Sequence, residues 1–220
     1  MSAAASRRPE ARPAPSPRSK NWPYSVDGQV FPIGPVMWQN IRPSRLTARL
    51  AQREKRAAMV KDEFPGVVSV IVEVPKGSRN KYEFDHESGM IKLDRVLFSS
   101  VHYPADYGYI EGTLAEDGDD VDTLVLIEEP TFPGCLMQAK PVGMLRMRDE
   151  KGADNKVLAV PLHDPRWGPI GDIHEIPAQI LAEVENFFLT YKKLETKVVV
   201  SDGWEDARKT QDYLVASIID

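Results

Sequence analysis

The chain has 220 residues, enough for one domain of ordinary size and an appendage. Apolar residues make up 42% of it, which supports a packed core. No apolar run approaches the ~20 residues needed to cross a bilayer. The single cysteine, Cys135, excludes an internal disulfide, fits a reducing compartment, and is expected to be a small buried apolar residue. The net charge of −5 hides an asymmetry, because residues 1–61 carry twelve Lys and Arg against three acidic residues, whereas residues 62–220 carry 16 against 30.

Residues 1–61 therefore form a basic N-terminal extension, and residues 62–220 an acidic domain. Residues 1–20 are rich in Ala, Ser, Pro and Arg, have no hydrophobic period, and predict a disordered tail. Aromatic residues among the prolines of residues 21–43 indicate an extended arm lying on a surface, and residues 44–61 predict a short helix. We expect a cytoplasmic protein whose arm contacts another subunit or protein. The acid-poor start also resembles a transit peptide, so a mitochondrion or plastid is the alternative location.

The acidic domain shows short β-branched runs separated by turns, the spacing typical of a small closed barrel. The predicted strands are Val67–Val74, Lys81–Asp85, Met90–Val96, Tyr107–Gly112, Val121–Ile127, Leu136–Arg148, Val157–Val160 and Lys197–Val200. Two helices are predicted to cover the barrel. The first follows Pro177 and has apolar residues at helical spacing from Ile180 to Tyr191, and the second has a stripe from Trp204 to Ile218.

The sequence EDGDDVDTLVL, residues 116–126, is the strongest candidate for a functional site. Asp117, Asp119, Asp120 and Asp122 repel one another unless cations neutralise them, and hard divalent cations take such oxygen ligands. An acidic surface turn before a strand is the alternative for this segment alone.

Further charged and tyrosine side chains favour the site interpretation. Lys81 and Glu83 share a face of their strand, and the segment RDEKGADNK places carboxylates and a lysine around a glycine turn. Each group alone also fits a solvated surface. Together they supply carboxylates for cations, and Lys, Arg and Tyr donors for phosphate oxygens, as a two-metal phosphoryl-transfer site requires.

In order along the chain, Glu73, KYE (81–83), Arg95, YPADYGY, DGDDVD, RDEKGADNK and TYKKLE resemble the soluble family I inorganic pyrophosphatases. The resemblance runs from Val67 to about Asp206 and leaves residues 1–61 outside. It implies an α+β, mainly β fold, a five-stranded OB-type barrel with two C-terminal helices packed against it. It also implies Mg²⁺-dependent hydrolysis of inorganic pyrophosphate and a homo-oligomer, either a hexamer or a dimer.

The resemblance further implies a role for each matching residue. The expected metal ligands are Asp117, Asp122, Asp149, Asp154 and Glu83, and Asp119 is the expected general base. The expected phosphate-binding residues are Lys81, Arg95, Tyr107, Lys156, Tyr191 and Lys192, of which Lys81, Arg95 and Tyr107 are also counted as catalytic. Glu73, Tyr103 and Glu150 are expected to support the site.

One departure from the family pattern is Asp120, which stands where proline is common. Either the loss of proline loosens the turn that positions Asp119, or the extra carboxylate adds an outer contact to a metal-bound water. The four histidines lack ligand spacing, and His102 is expected near the pocket without binding metal. Trp167, in a predicted surface loop, is expected at a subunit contact.

Two other functions compete with pyrophosphate hydrolysis. The first is a catalytically idle subunit that docks on a larger assembly through the N-terminal arm, although every matched catalytic position is filled. The second is an OB-type nucleic-acid binder, which the excess of acidic residues in the barrel disfavours because such proteins need a positive groove.

Overall fold

The computed structural model describes residues 63–150, 152–195 and 197–219. Predictions for the basic extension, including the helix at 44–61, lie outside these residues. The elements in chain order are β1 (Val68–Val74), β2 (Asn80–Asp85), β3 (Met90–Val96), β4 (Asp106–Ile110), β5 (Val121–Val125), β6 (Leu136–Asp149), β7 (Gly152–Ala153), β8 (Lys156–Pro161), α1 (Ala178–Tyr191), β9 (Val200–Asp206) and α2 (Ala207–Ala216). Short 3-10 helices occupy Ile173–Glu175 and Lys193–Glu195.

Five strands close into a ring, which confirms the predicted barrel. The order is β1–β4–β5–β8–β6, and β6 returns to pair with β1. All five pairings are antiparallel except that of β5 with β8. Strand β1 (VSVIVEV) fits this ring because its β-branched residues are all buried, while Ser69 and Glu73 are half-buried. The ring therefore forms from the segments whose composition most favours strands.

Gly108 allows β1 and β4 to approach each other closely. A Cβ atom at this position would lie 1.9 Å from the backbone oxygen of Ile71. Any residue with a Cβ atom would clash with the β1 backbone, so this position requires glycine.

Helix α1 covers one side of the barrel. Its buried residues Val184, Phe187, Phe188 and Tyr191 follow the helical period and pack against Tyr103, Tyr107 and Leu145, among other core residues. A second apolar cluster contains Val68, Val121 and Leu214 of α2. Among the described residues, neither helix is long and apolar enough to cross a membrane.

The last strand was misplaced by the sequence prediction. A strand was expected at Lys197–Val200 and Trp204 was assigned to the second helix, but β9 runs from Val200 to Asp206 and contains Trp204. The strand pairs with β6, which places Trp204 opposite Leu145. Helix α2 starts only after Asp206, whose side chain accepts a hydrogen bond from the backbone N–H of Lys209. Pairing with a distant strand decided the structure here, and the local pattern did not reveal it.

Strands β2 and β3 form a separate two-stranded hairpin beside the barrel. Their register places Lys81 opposite Arg95 and Glu83 opposite Lys92. The backbone N–H of Phe84 donates to Glu73 Oε1 of β1 at 2.6 Å, which connects the hairpin to the barrel. This hairpin presents two predicted phosphate-binding residues on one surface.

Candidate active site

A cavity of about 640 Å³ lies between the hairpin, the barrel and the C-terminal end of α1. Thirteen of the fifteen predicted site residues line it. They are Glu73, Lys81, Glu83, Arg95, Tyr107, Asp117, Asp119, Asp122, Asp149, Asp154, Lys156, Tyr191 and Lys192. Segments separated by more than a hundred residues therefore meet at one pocket.

The other two predicted residues lie outside the lining. Tyr103 is 2% exposed and packs with ring centroids 5.3 Å from Tyr107 and 4.7 Å from Phe187. It supports Tyr107 from within the core. Glu150 is half exposed, and its Oε1 atom lies 3.4 Å from Lys197 Nζ.

The aspartate loop, defined here as residues 115–120, is a tight turn. The backbone N–H of Ala115 donates to the carbonyl of Asp119 at 2.8 Å, and that of Gly118 donates to the carbonyl of Ala115 at 3.1 Å. Gly118 has a φ of +93°, a conformation that favours glycine. Asp117 Oδ1 accepts a hydrogen bond from the N–H of Asp119 at 3.2 Å. The loop thus presents several carboxylates at the pocket just before β5 begins.

Lys156 is the central cation of the pocket. Its ammonium group contacts both Asp122 and Asp154, and its side chain is only 4% exposed. Burial alone would lower the pKa of Lys156, but the two carboxylates outweigh burial and raise it well above its usual value. The Nζ atom also lies 5.9 Å from the ring centroids of Tyr107 and Phe188. Lys156 is therefore positively charged at any ordinary pH.

Asp154 and Lys192 extend this network towards α1. Burial raises the pKa of Asp154 despite the attraction of Lys156. Lys192 Nζ lies 3.2 Å from Asp149 Oδ2 and 4.0 Å from Asp154 Oδ2. Burial opposes the charge of Lys192, but the neighbouring Tyr191 and the carboxylates raise its pKa overall. Two lysines and three carboxylates thus share this side of the pocket.

The hairpin supplies a second set of paired charges. Lys81 Nζ lies 2.6 Å from Glu83 Oε1 and 3.6 Å from Asp94 Oδ2. Arg95 contacts Asp94 at 2.9 Å and Glu195 at 3.3 Å. Sequence reasoning assigned no role to Asp94 or Glu195, although Glu195 belongs to the quoted TYKKLE motif. Their partners show that they hold Arg95 and Lys81 in place before any anion arrives.

Glu73 has an unusual protonation state. Burial raises its pKa to about 7, against the hydrogen bond from the Phe84 N–H, which lowers it. The charges of Asp122 and Glu83 raise it further. Glu73 therefore titrates near neutral pH.

Another difference concerns the histidines. His102 was expected near the pocket, but it is exposed and does not line it. His86, which follows β2, lines the pocket together with Asp120. No spacing signal in the sequence could have selected His86, because its position depends on how the hairpin packs against the barrel. Trp167 is partly buried against the core, and its contact with another subunit stays a prediction.

The donor set of the pocket fits hard divalent cations. Eight carboxylates line it against five Lys and Arg side chains, so three negative charges remain formally uncompensated. Among the described residues no three His, Cys, Asp or Glu side chains converge on one point as they stand. Instead the Lys156 ammonium lies between Asp122 and Asp154 and neutralises the charge of their carboxylates. Carboxylate oxygens are the ligands that Mg²⁺ prefers, so an incoming cation has suitable donors here.

A closed barrel of the OB type that combines clustered carboxylates with Lys, Arg and Tyr donors in one pocket has the side chains that an enzyme of phosphoryl transfer requires. Residues 70–219 match the inorganic pyrophosphatase family. The chain therefore belongs to the inorganic pyrophosphatases, a family of metal-dependent hydrolases.

Individual relatives agree with this assignment. An inorganic pyrophosphatase of Leifsonia xyli subsp. xyli is 52% identical over 148 residues, which cover 67% of this chain and 91% of the relative. One of Methanosarcina acetivorans is 53% identical over 148 residues, covering 67% and 88%. The crystal structure of the Thermus thermophilus enzyme superimposes with a TM-score of 0.70 at 47% identity, covering 71% of this chain and 92% of that one. The Helicobacter pylori enzyme gives a TM-score of 0.67 at 39% identity, covering 69% and 91%.

Proposed function

We propose that this pocket hydrolyses inorganic pyrophosphate to two phosphates by direct attack of water, with several Mg²⁺ ions bound and no covalent intermediate. The observation that carries the proposal is that the family match spans 70–219 and includes all thirteen predicted residues that line the pocket. Asp117, Asp122, Asp149, Asp154 and Glu83 would hold the Mg²⁺ ions. Bound Mg²⁺ supplies charge neutralisation of the anionic substrate and lowers the pKa of the attacking water.

The cationic side chains bind and orient pyrophosphate. Lys156 and Lys192 are held positively charged by their carboxylate neighbours, so they can attract phosphate oxygens throughout the neutral pH range. Lys81 and Arg95 face the same cavity from adjacent positions of the hairpin. The hydroxyl groups of Tyr107 and Tyr191 add donors, and burial raises the pKa of Tyr107 well above its usual value, which keeps its hydroxyl protonated.

Asp119 receives the proton of the attacking water. As the water oxygen forms its bond to phosphorus, the bond from phosphorus to the bridging oxygen breaks and the second phosphate leaves. Arg95 and the Tyr191–Lys192 pair stabilise the charge that develops on that leaving phosphate. Asp119 suits proton transfer because it is exposed at the aspartate loop, whereas Asp122 is already engaged by Lys156.

The decisive experiment measures phosphate release from pyrophosphate by the full-length protein with and without Mg²⁺. We expect Asp119→Asn to lower kcat by about a hundred-fold or more while changing Mg²⁺ affinity little. Asp117→Asn should reduce both kcat and Mg²⁺ affinity. Asp212→Asn, on the exposed surface of α2, is the matched control and should behave as wild type. Near-normal hydrolysis in both Asp119→Asn and Asp117→Asn would refute the assigned roles.

The same assay on a variant lacking residues 1–61 tests the proposed domain division. Equal activity in both proteins would show that the extension is dispensable for chemistry. We also propose that the enzyme works as a homo-oligomer in the cytoplasm, which sedimentation and cell fractionation can test. The idle-subunit alternative is not favoured by the comparisons, and absence of hydrolysis in both proteins would restore it.

A further inference from the structure

The β2–β3 hairpin carries Lys81, Glu83 and Arg95 to the pocket, yet it forms a sheet of its own. Its base is closed by backbone hydrogen bonds between the segments that lead into β2 and out of β3, because the N–H groups of Gly77 and Tyr103 donate to the carbonyls of Tyr103 and Ser78 at 2.8 and 3.0 Å. A two-stranded hairpin is marginally stable by itself. Its position over the pocket therefore depends on contacts beyond the base.

His86 provides such a contact at the far end of β2. Its Nε2 atom lies 3.7 Å from Asp120 Oδ2, across the pocket from the hairpin to the aspartate loop. Its ring packs edge-on against Phe84 with centroids 5.0 Å apart, and lies 5.7 Å from the ring of Tyr109 on β4. One imidazole thus contacts the hairpin, the barrel and the aspartate loop.

Asp120 is held on the barrel side of this contact. Its carboxylate interacts with the backbone N–H groups of Gly112 and Thr113, and its side chain is 21% exposed. It directly follows Asp119, the proposed general base. A carboxylate fixed in this way offers the hairpin a defined attachment point beside the reacting groups.

We infer that His86 is a positioning residue, which through Asp120 and Tyr109 fixes the β2–β3 hairpin, and with it Lys81 and Arg95, over the bound pyrophosphate. This inference rests on the proposed hydrolysis of pyrophosphate. It also gives Asp120 a role, because the carboxylate that departs from the family pattern is the partner of His86. His86 acts through the hairpin and does not touch the reacting atoms.

Steady-state kinetics of pyrophosphate hydrolysis test this role. In His86→Ala the hairpin loses one of its outer contacts, while the Phe84–Glu73 hydrogen bond and the Arg95–Glu195 ion pair remain. KM should therefore rise about three-fold, and kcat should fall by no more than a similar factor because Arg95 also stabilises the leaving phosphate. Asp120→Asn should give a similar rise, and the double variant should add little to either single change because both remove one contact. His174→Ala is the matched control, since His174 Nε2 lies at the same 3.7 Å from Asp172 on a surface that does not line the pocket.

Hydrogen–deuterium exchange provides a readout independent of activity. The amides of residues 84–91 should exchange faster in His86→Ala than in wild type, while those of β5 and β8 stay unchanged. Unchanged KM and exchange in His86→Ala, or strictly additive effects in the double variant, would overturn the inference. A fall in kcat at unchanged KM would also overturn it, because displaced Lys81 and Arg95 should weaken the binding of pyrophosphate as well as turnover. A wild-type protein without hydrolysis would instead refute the proposed function. The exchange data would still show whether the contact between His86 and Asp120 holds the hairpin.

Discussion

Replacing Lys156 with methionine would leave Asp122 and Asp154 without the cation that lies between them. Methionine fills nearly the same space, so the change removes charge with little change in packing. Removing one partner of a buried ion pair typically costs 3–5 kcal/mol. Asp122 retains 28% side-chain exposure and Asp154 retains 13%, so water relieves part of this cost. We therefore expect the free energy of unfolding to fall by about 3 kcal/mol in the absence of divalent cations.

Mg²⁺ should reverse this loss if Asp122 and Asp154 are metal ligands. A ligand at a hundred times its Kd stabilises the folded state by about 2.7 kcal/mol, which nearly balances the loss. The stabilisation should be larger in Lys156→Met than in wild type, because no ammonium group competes for the carboxylates. The measurement is urea unfolding with and without Mg²⁺, with KCl at equal ionic strength as the salt control.

The protein control is Lys209→Met, which breaks an exposed ion pair with Glu205 on the surface and should leave both midpoints unchanged. Two results would refute the reasoning. One is a Lys156→Met variant as stable as wild type without Mg²⁺. The other is equal recovery with KCl, which would show that general screening, and not a bound divalent cation, relieves the carboxylates.

Three further changes test other contacts. Glu73 has a pKa raised from 4.5 to about 7, so its contribution to the stability of the wild type should fall by about 3 kcal/mol in total as pH rises through that interval. Glu73→Gln lacks this contribution, so the difference between its urea midpoint and that of the wild type should change with pH, and parallel profiles would contradict this. Gly108→Ala would place Cβ 1.9 Å from the Ile71 oxygen and should lower stability by about 4 kcal/mol or more, so a near-wild-type Tm would exclude the close contact. Asp106 is fully buried and accepts hydrogen bonds from the N–H and hydroxyl of Thr131, so Asp106→Ala should lower the urea midpoint clearly more than Asp106→Asn does.

Much of the fold could be predicted because local composition and final structure agree. The β-branched run of β1 and the helical period of α1 each indicate one element, and tertiary packing uses the same apolar face. The end of the chain behaves differently. Trp204 fits a helical stripe by spacing, but pairing of β9 with β6 makes it part of a strand. Local patterns carry no information about a partner strand some sixty residues away, so this assignment failed.

In the candidate site, too, the sequence predicted some features and missed those that depend on packing. Carboxylates and cations at known motif positions were enough to predict which residues meet, and thirteen of them line the pocket. Which carboxylate each cation contacts could not be predicted, because it depends on strand register and on burial. The placement of Asp94 and Glu195 beside Arg95, the raised pKa of Glu73, and the approach of His86 to Asp120 all arise from packing between segments distant in sequence.

The parallel pairing of β5 with β8 has a consequence for how the protein can be assayed. Thr123 lies opposite Val157, so Asp122 and Lys156, 34 residues apart, become neighbours only when these two strands are in register. A slip of one residue would turn Lys156 to the opposite face of the sheet. Enzymatic turnover is therefore a sensitive reporter of correct strand alignment, and a refolding experiment can follow barrel closure by the return of activity.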